Sequence, residues 1–129
     1  GQERQDRRFN KSQPRTMPPA HLSPSPRPVT VAATQFACSW DVQANIAKAD
    51  ALVRRAAATG AQIIQLQELF ETPYFCIEQD NRHLALATTV ADNPALRHFR
   101  GLARELGVVL PISFFERANQ AHFNSVGIC

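Results

Sequence analysis

A chain of 129 residues with a formal net charge of +3 has room for one domain at most. No apolar run approaches the roughly 18 residues of a membrane helix, and the first 28 residues lack the apolar core of a secretory signal. Membrane and secreted classes are therefore set aside, and a cytoplasmic protein is expected. The basicity is local: residues 1–28 hold six of the 14 Lys/Arg, whereas residues 29–129 hold eight against nine Asp/Glu, so a folded part offers no electrostatic footprint for nucleic acid.

Residues 1–28 also carry six of the nine prolines. Such a segment cannot bury enough apolar surface to offset its ordering entropy and is expected to be a disordered tail. The ordered part is expected to begin after Pro28. Val29–Phe36 is rich in β-branched residues and reads as a strand. Ser39 and Asp41 offer N-cap oxygens for a helix over 42–59, with Ile46, Ala49, Val53, Ala56 and Ala57 on one stripe. Gly60 supplies the residue that ends it. Ala61–Leu66 is a second strand, so strand, helix and strand predict a parallel pair with a right-handed crossover.

A mobile, partly helical connection is expected over 71–90. Asp92 or Asn93 caps a second helix, with Pro94 in its first turn, a buried stripe of Leu96, Phe99, Leu102, Ala103 and Leu106, and Gly107 as terminator. Val108–Phe115 and His122–Ile128 are third and fourth strands, joined by a hairpin turn at 118–121. The order is β-α-β-α-β-β, an α/β arrangement. Two helices cover one face of such a sheet, and the other face needs partners.

The chemistry concentrates at Gln67–Cys76. Glu68 stands where the apolar second strand ends, a position from which a sheet presents a catalytic carboxylate rigidly. A strand-end acid is also often just solvated or capping the next turn, and spacing alone leaves both readings open. Cys38, Cys76 and Cys129 are an odd, widely spaced set without a CxxC motif, and His21, His83, His98 and His122 lack ligand spacing. Reduced thiols and no metal are expected. Cys38 and Cys76 read as buried small hydrophobes, with pocket lining as the other reading of Cys76.

Val31-Ala32-Ala33-Thr34-Gln35, Asn45 and Ala49 on the first helix, and Gly60-Ala61 leading into Gln67-Glu68-Leu69-Phe70 together resemble the N-terminal part of the carbon–nitrogen hydrolase (nitrilase) superfamily. The resemblance runs from about Val29 to Val126. Most superfamily members carry Pro where this chain has Gln67. Three segments narrow the likeness to hydrolases of carbamoyl amines: Ala37–Asp41, Leu66–Cys76 and Gly107–Arg117. The resemblance implies an α-β-β-α sandwich and a Glu-Lys-Cys constellation in which Glu68 is the general base. N-carbamoylputrescine is the implied substrate, with no cofactor. Another ureido or ω-amide hydrolase is the alternative.

The family's lysine lies downstream of this glutamate, whereas both lysines here, Lys11 and Lys48, precede it. The 129-residue chain is therefore expected to be a partial, inactive form. Gly127-Ile128-Cys129 matches the tripeptide around the family nucleophile, which makes Cys129 a candidate nucleophile remnant; it also reads as the ordinary end of a strand. Glu71, Tyr74 and Phe75 are candidate substrate-binding residues, Glu71 by attracting a cationic amine; the aromatics also read as packing. Glu116 and Arg117 read as an ion pair, with Glu116 facing the site as a further reading. The partners implied are a small ureido amine and other subunits, as a homo-oligomer or in association with full-length copies.

Overall fold

The computed structural model describes residues 26–129. The expected disordered tail lies outside the described residues except for 26–28, which are exposed and in no regular element. The order β-α-β-α-β-β is observed: β1 Val31–Ala33, α1 Val42–Ala58, β2 Ile63–Gln65, α2 Pro94–Leu106, β3 Pro111–Ala118 and β4 Ala121–Ile128. The connection after β2 holds two 3₁₀ segments, Phe75–Ile77 and Asn81–Leu86. Among the described residues no helix is long and apolar enough to cross a membrane.

Local chemistry fixes the helix ends. Asp41 Oδ1 accepts the Ala44 N–H at 3.0 Å and caps α1, and Asn93 Oδ1 accepts the Leu96 N–H at 2.8 Å and caps α2. Gly107 closes α2 with φ +65°, the left-handed conformation that costs glycine least. Ile46, Ala49 and Val53 on α1, and Leu96, Phe99, Leu102 and Ala103 on α2, are buried as their spacing predicts. An ionic chain also links the two helices: Arg54 bridges Asp50 on its own helix and Glu105 on α2, and Asp50 meets His98.

The strands form two ladders rather than one continuous sheet. β1 and β2 are parallel with Val31 opposite Ile63; β3 and β4 are antiparallel with Pro111 opposite Ile128. A single bridge, Ile63 to Val109, joins them. It is made by Ile64 N–H to Val109 O at 2.9 Å and Val109 N–H to Gln62 O at 2.8 Å. The β3–β4 turn has two residues, Asn119 and Gln120, and Asn119 takes φ +56°, which Asn tolerates better than most residues.

Strand alternation divides the residues between two faces. Ala32, Ile64, Leu110, Ile112 and Phe114 join the core beneath the helices, where Phe70 and Phe99, both fully buried, meet edge to face with ring centres 5.6 Å apart. On the opposite face Val31, Ile63, Val109, Val126 and Ile128 are exposed, Val31 at 67% and Ile128 at 70%. This is the face that the two helices leave uncovered.

Two local expectations are corrected. Glu116 and Arg117 form no ion pair, because neighbouring residues on a strand point to opposite faces; the Glu116 carboxylate instead accepts the Ser125 hydroxyl at 2.5 Å. Cys76 is exposed rather than buried, because the Phe75–Ile77 turn buries Phe75 and turns its neighbours outward.

Candidate active site

Glu68 follows β2, where the chain leaves the sheet. The next residue, Leu69, has φ +50°, a conformation that costs a residue with a Cβ about 1–2 kcal/mol. Two things offset that cost: the Leu69 side chain is 3% exposed, and its N–H donates to Ser113 Oγ at 3.2 Å. The reversal directs Leu69 inward and leaves Glu68 at the surface. Non-glycine residues in this region gather at functional sites, where the surroundings enforce them.

Both flanks of Glu68 are fastened by side-chain amides. Gln67 Oε1 accepts the Phe36 N–H at 2.8 Å and Gln67 Nε2 donates to the Phe36 carbonyl at 2.9 Å. The Gln67 amide thus serves as a backbone partner beyond the end of β1, a service that proline cannot perform. On the other flank the fully buried Asn45 of α1 donates to the Glu71 carbonyl at 2.9 Å and to the Ser39 carbonyl at 2.6 Å. The carboxylate itself accepts a hydrogen bond from Asn124 Nδ2 on β4.

The expected substrate-binding residues take different positions. Tyr74 is exposed, and the negative charge of Glu68 pushes its phenol pKa upward, with Cys76 contributing. Phe75 is buried against Phe115, with ring centres 5.2 Å apart. The Glu71 carboxylate accepts Asn93 Nδ2 at 2.9 Å. Burial raises its pKa despite this bond. Glu71, Phe75, Leu69 and Phe115 line a small, mostly apolar cleft.

Cys129 is not brought to Glu68. Its backbone continues the β3–β4 ladder, bonding Leu110 in both directions at 2.9 Å. It lies five residues from Asn124, about 17 Å along an extended strand, and odd spacing puts the two side chains on opposite faces. Burial pushes its thiol pKa up, the reverse of what a ready nucleophile requires. Cys38 is also raised by burial, which outweighs the Lys48 charge and a hydrogen bond from Gln67. Lys48 is exposed and donates to the Ala37 carbonyl at 3.2 Å.

Asn124 and Ser113 are site residues that sequence reasoning missed. The available signal was two polar side chains inside strand sequences, on one face by alternation, with nothing local to satisfy them.

The carbon–nitrogen hydrolase profile matches residues 30–128. The chain belongs to the carbon–nitrogen hydrolase family. It is 53% identical over 102 residues to N-carbamoylputrescine amidase of Solanum tuberosum, covering 79% of this chain and 34% of that protein. It is 50% identical over 102 residues to N-carbamoylputrescine amidase of Arabidopsis thaliana, with the same coverage. A more distant relative, citrullinase of Francisella tularensis, is 35% identical over 100 residues, covering 78% and 35%. Among solved structures, the carbon–nitrogen hydrolase of Helicobacter pylori G27 superposes with a TM-score of 0.68 at 26% identity, covering 78% of this chain and 35% of that one. This family member therefore spans about a third of the length of the curated relatives it matches. The likeness carries the partial nitrilase-type fold, with Glu68 inside the matched span.

Proposed function

We propose that a full-length protein carrying this segment hydrolyses N-carbamoylputrescine to putrescine, carbon dioxide and ammonia, with Glu68 as general base. Glu68 takes the proton of a cysteine thiol, because the thiolate and not the thiol attacks. The thiolate adds to the ureido carbon, ammonia leaves, and a carbamoyl thioester remains. Water attacks the thioester and releases the cysteine. The carbamic acid formed then splits into carbon dioxide and putrescine. A lysine ammonium holds the negative oxygen of each tetrahedral intermediate.

The single observation that carries this reading is the setting of Glu68: a strand-end carboxylate flanked by Gln67 and Asn45 clamps and held by Asn124. The roughly half-identical N-carbamoylputrescine amidases support the substrate. The nucleophile and the lysine belong to other parts of such a protein, since Cys129 faces away and both lysines here precede Glu68. The 129-residue chain by itself is proposed to be inactive, and its bare sheet face supports association with further sheet, in the same polypeptide or another subunit.

Substrate profiling of the full-length protein tests the proposal. Release of ammonia and putrescine from N-carbamoylputrescine is expected. Turnover of N-carbamoyl-β-alanine without turnover of N-carbamoylputrescine would move the activity to another ureido hydrolase. Ammonia release by the purified 129-residue chain would overturn its proposed inactivity.

A further inference from the structure

Three hydrogen bonds connect the backbone after Glu68 to its carboxylate through two strands. The Leu69 N–H donates to Ser113 Oγ at 3.2 Å, Ser113 Oγ donates to Asn124 Oδ1 at 3.3 Å, and Asn124 Nδ2 donates to Glu68 Oε1. The direction of this chain is fixed by chemistry. A backbone N–H can only donate and an ionised carboxylate can only accept, so the Ser113 hydroxyl accepts from Leu69, Asn124 gives its NH₂ to Glu68, and the Ser113 proton is left for Asn124 Oδ1. That proton holds the amide oxygen of Asn124, which leaves the NH₂ group facing Glu68. Rotating the amide by half a turn would set its oxygen against the carboxylate, two acceptors with no proton between them. Ser113 is 5% exposed, so water does not readily replace it in this role.

The register supplies the geometry. Ser113 lies opposite Val126 and Phe115 opposite Asn124, so Ser113 and Asn124 share the face toward which Glu68 emerges. Strained Leu69 brings its N–H to the same hydroxyl. The donor that starts the chain and the carboxylate that ends it are thus adjacent in sequence. Glu68 Oε2 has no hydrogen bond among the described residues.

We propose that Asn124 is the positioning residue for Glu68. Its amide, locked by Ser113, holds Oε1 of the carboxylate and leaves Oε2 directed outward to receive a proton. This rests on the reading of Glu68 as general base. Asn124 acts through Glu68 and need not touch substrate.

The test uses the full-length protein with Glu68→Gln, Asn124→Asp and Ser113→Ala, each checked for an intact fold by thermal melting. Asn124→Asp keeps the size of the side chain but replaces the donor with a second carboxylate. We expect it to lower kcat about 100-fold, the lower end of what a general base contributes, with KM within about twofold. The acidic limb of its pH–rate profile should move to higher pH. Ser113→Ala should lower kcat about tenfold by freeing the amide to rotate. Should Asn124→Asp fail to fold, the Asn124 side-chain amide resonances in the unmodified protein supply the readout. They should shift on acidification and lose that response in Glu68→Gln. A folded Asn124→Asp enzyme with unchanged kcat and pH profile, or amide resonances indifferent to Glu68→Gln, would overturn the positioning role. Full activity in Glu68→Gln would instead overturn the base assignment.

Discussion

Asn124 donates a hydrogen bond to Glu68 from 56 residues away, tying the candidate base at the end of β2 to β4. This contact spans the bridge between two separate ladders. The position of Glu68 therefore depends on β3 and β4 as much as on the strand it follows.

Gln67 is the second fastening. Its amide makes two hydrogen bonds to the Phe36 backbone, each worth about 1 kcal/mol net. Gln67→Ala should lower stability by about 2 kcal/mol in chemical denaturation, and the Phe36 amide proton should lose most of its protection in hydrogen exchange. Unchanged protection at Phe36 would mean that the clamp does not hold in solution.

Glu71 makes stability depend on pH in a particular direction. Burial raises its pKa above the ordinary 4.5, so the folded state binds the proton more tightly than the unfolded state. Its contribution to stability is then most favourable below about pH 4.5 and is lost as pH rises through the folded value. Glu71→Gln keeps an acceptor for Asn93 without the buried charge. The variant should melt above the parent at pH 7, and the gap should close as pH falls toward 4. A variant that melts lower at pH 7 would contradict this.

The segment after Glu68 is held by stacked rings. His83 lies between Trp40, at 5.6 Å and 12° interplanar angle, and Phe75, at 5.3 Å. Ring pairs of this kind contribute about 0.5–1.5 kcal/mol each. Trp40 is the chain's one tryptophan, so its emission reports on this stack alone. His83→Ala should red-shift that emission and speed proteolytic cleavage between 75 and 86. Identical emission and cleavage would show that the stack does not restrain the segment.

The bare face should drive self-association of the 129-residue chain, since a contiguous exposed apolar surface favours contact. The double variant Val126→Lys, Ile128→Lys should shift light scattering of the purified chain toward monomer. No change in scattering would place the contact elsewhere.

The element order was legible because the apolar spacing on α1 and α2 is helical and Gly60 and Gly107 punctuate it; the cap of α2 was narrowed only to Asp92 or Asn93, and Asn93 takes it. Strand extents were less so. Val29–Phe36 reads as one strand, yet the ladder covers only Val31–Ala33, because beyond it Phe36 pairs with a side chain instead of a backbone. The two-ladder arrangement was hidden for a similar reason: β2 meets the approach to β3 through one bridge, and periodicity does not reveal pairing. Glu68 was legible as a strand-end acid. Asn124 was not, because its partner is distant in sequence and an exposed polar residue in a hairpin strand carries no local mark of the contact it makes.

Whether Glu68 is the base is decided by the rate of ammonia release from N-carbamoylputrescine by the full-length protein, compared with its Glu68→Gln variant at equal folded concentration. A general base contributes about 10²–10⁴ in rate. A loss of that size is expected for Glu68→Gln, with the melting temperature preserved. A Glu68→Gln enzyme that releases ammonia at the parent rate would contradict it.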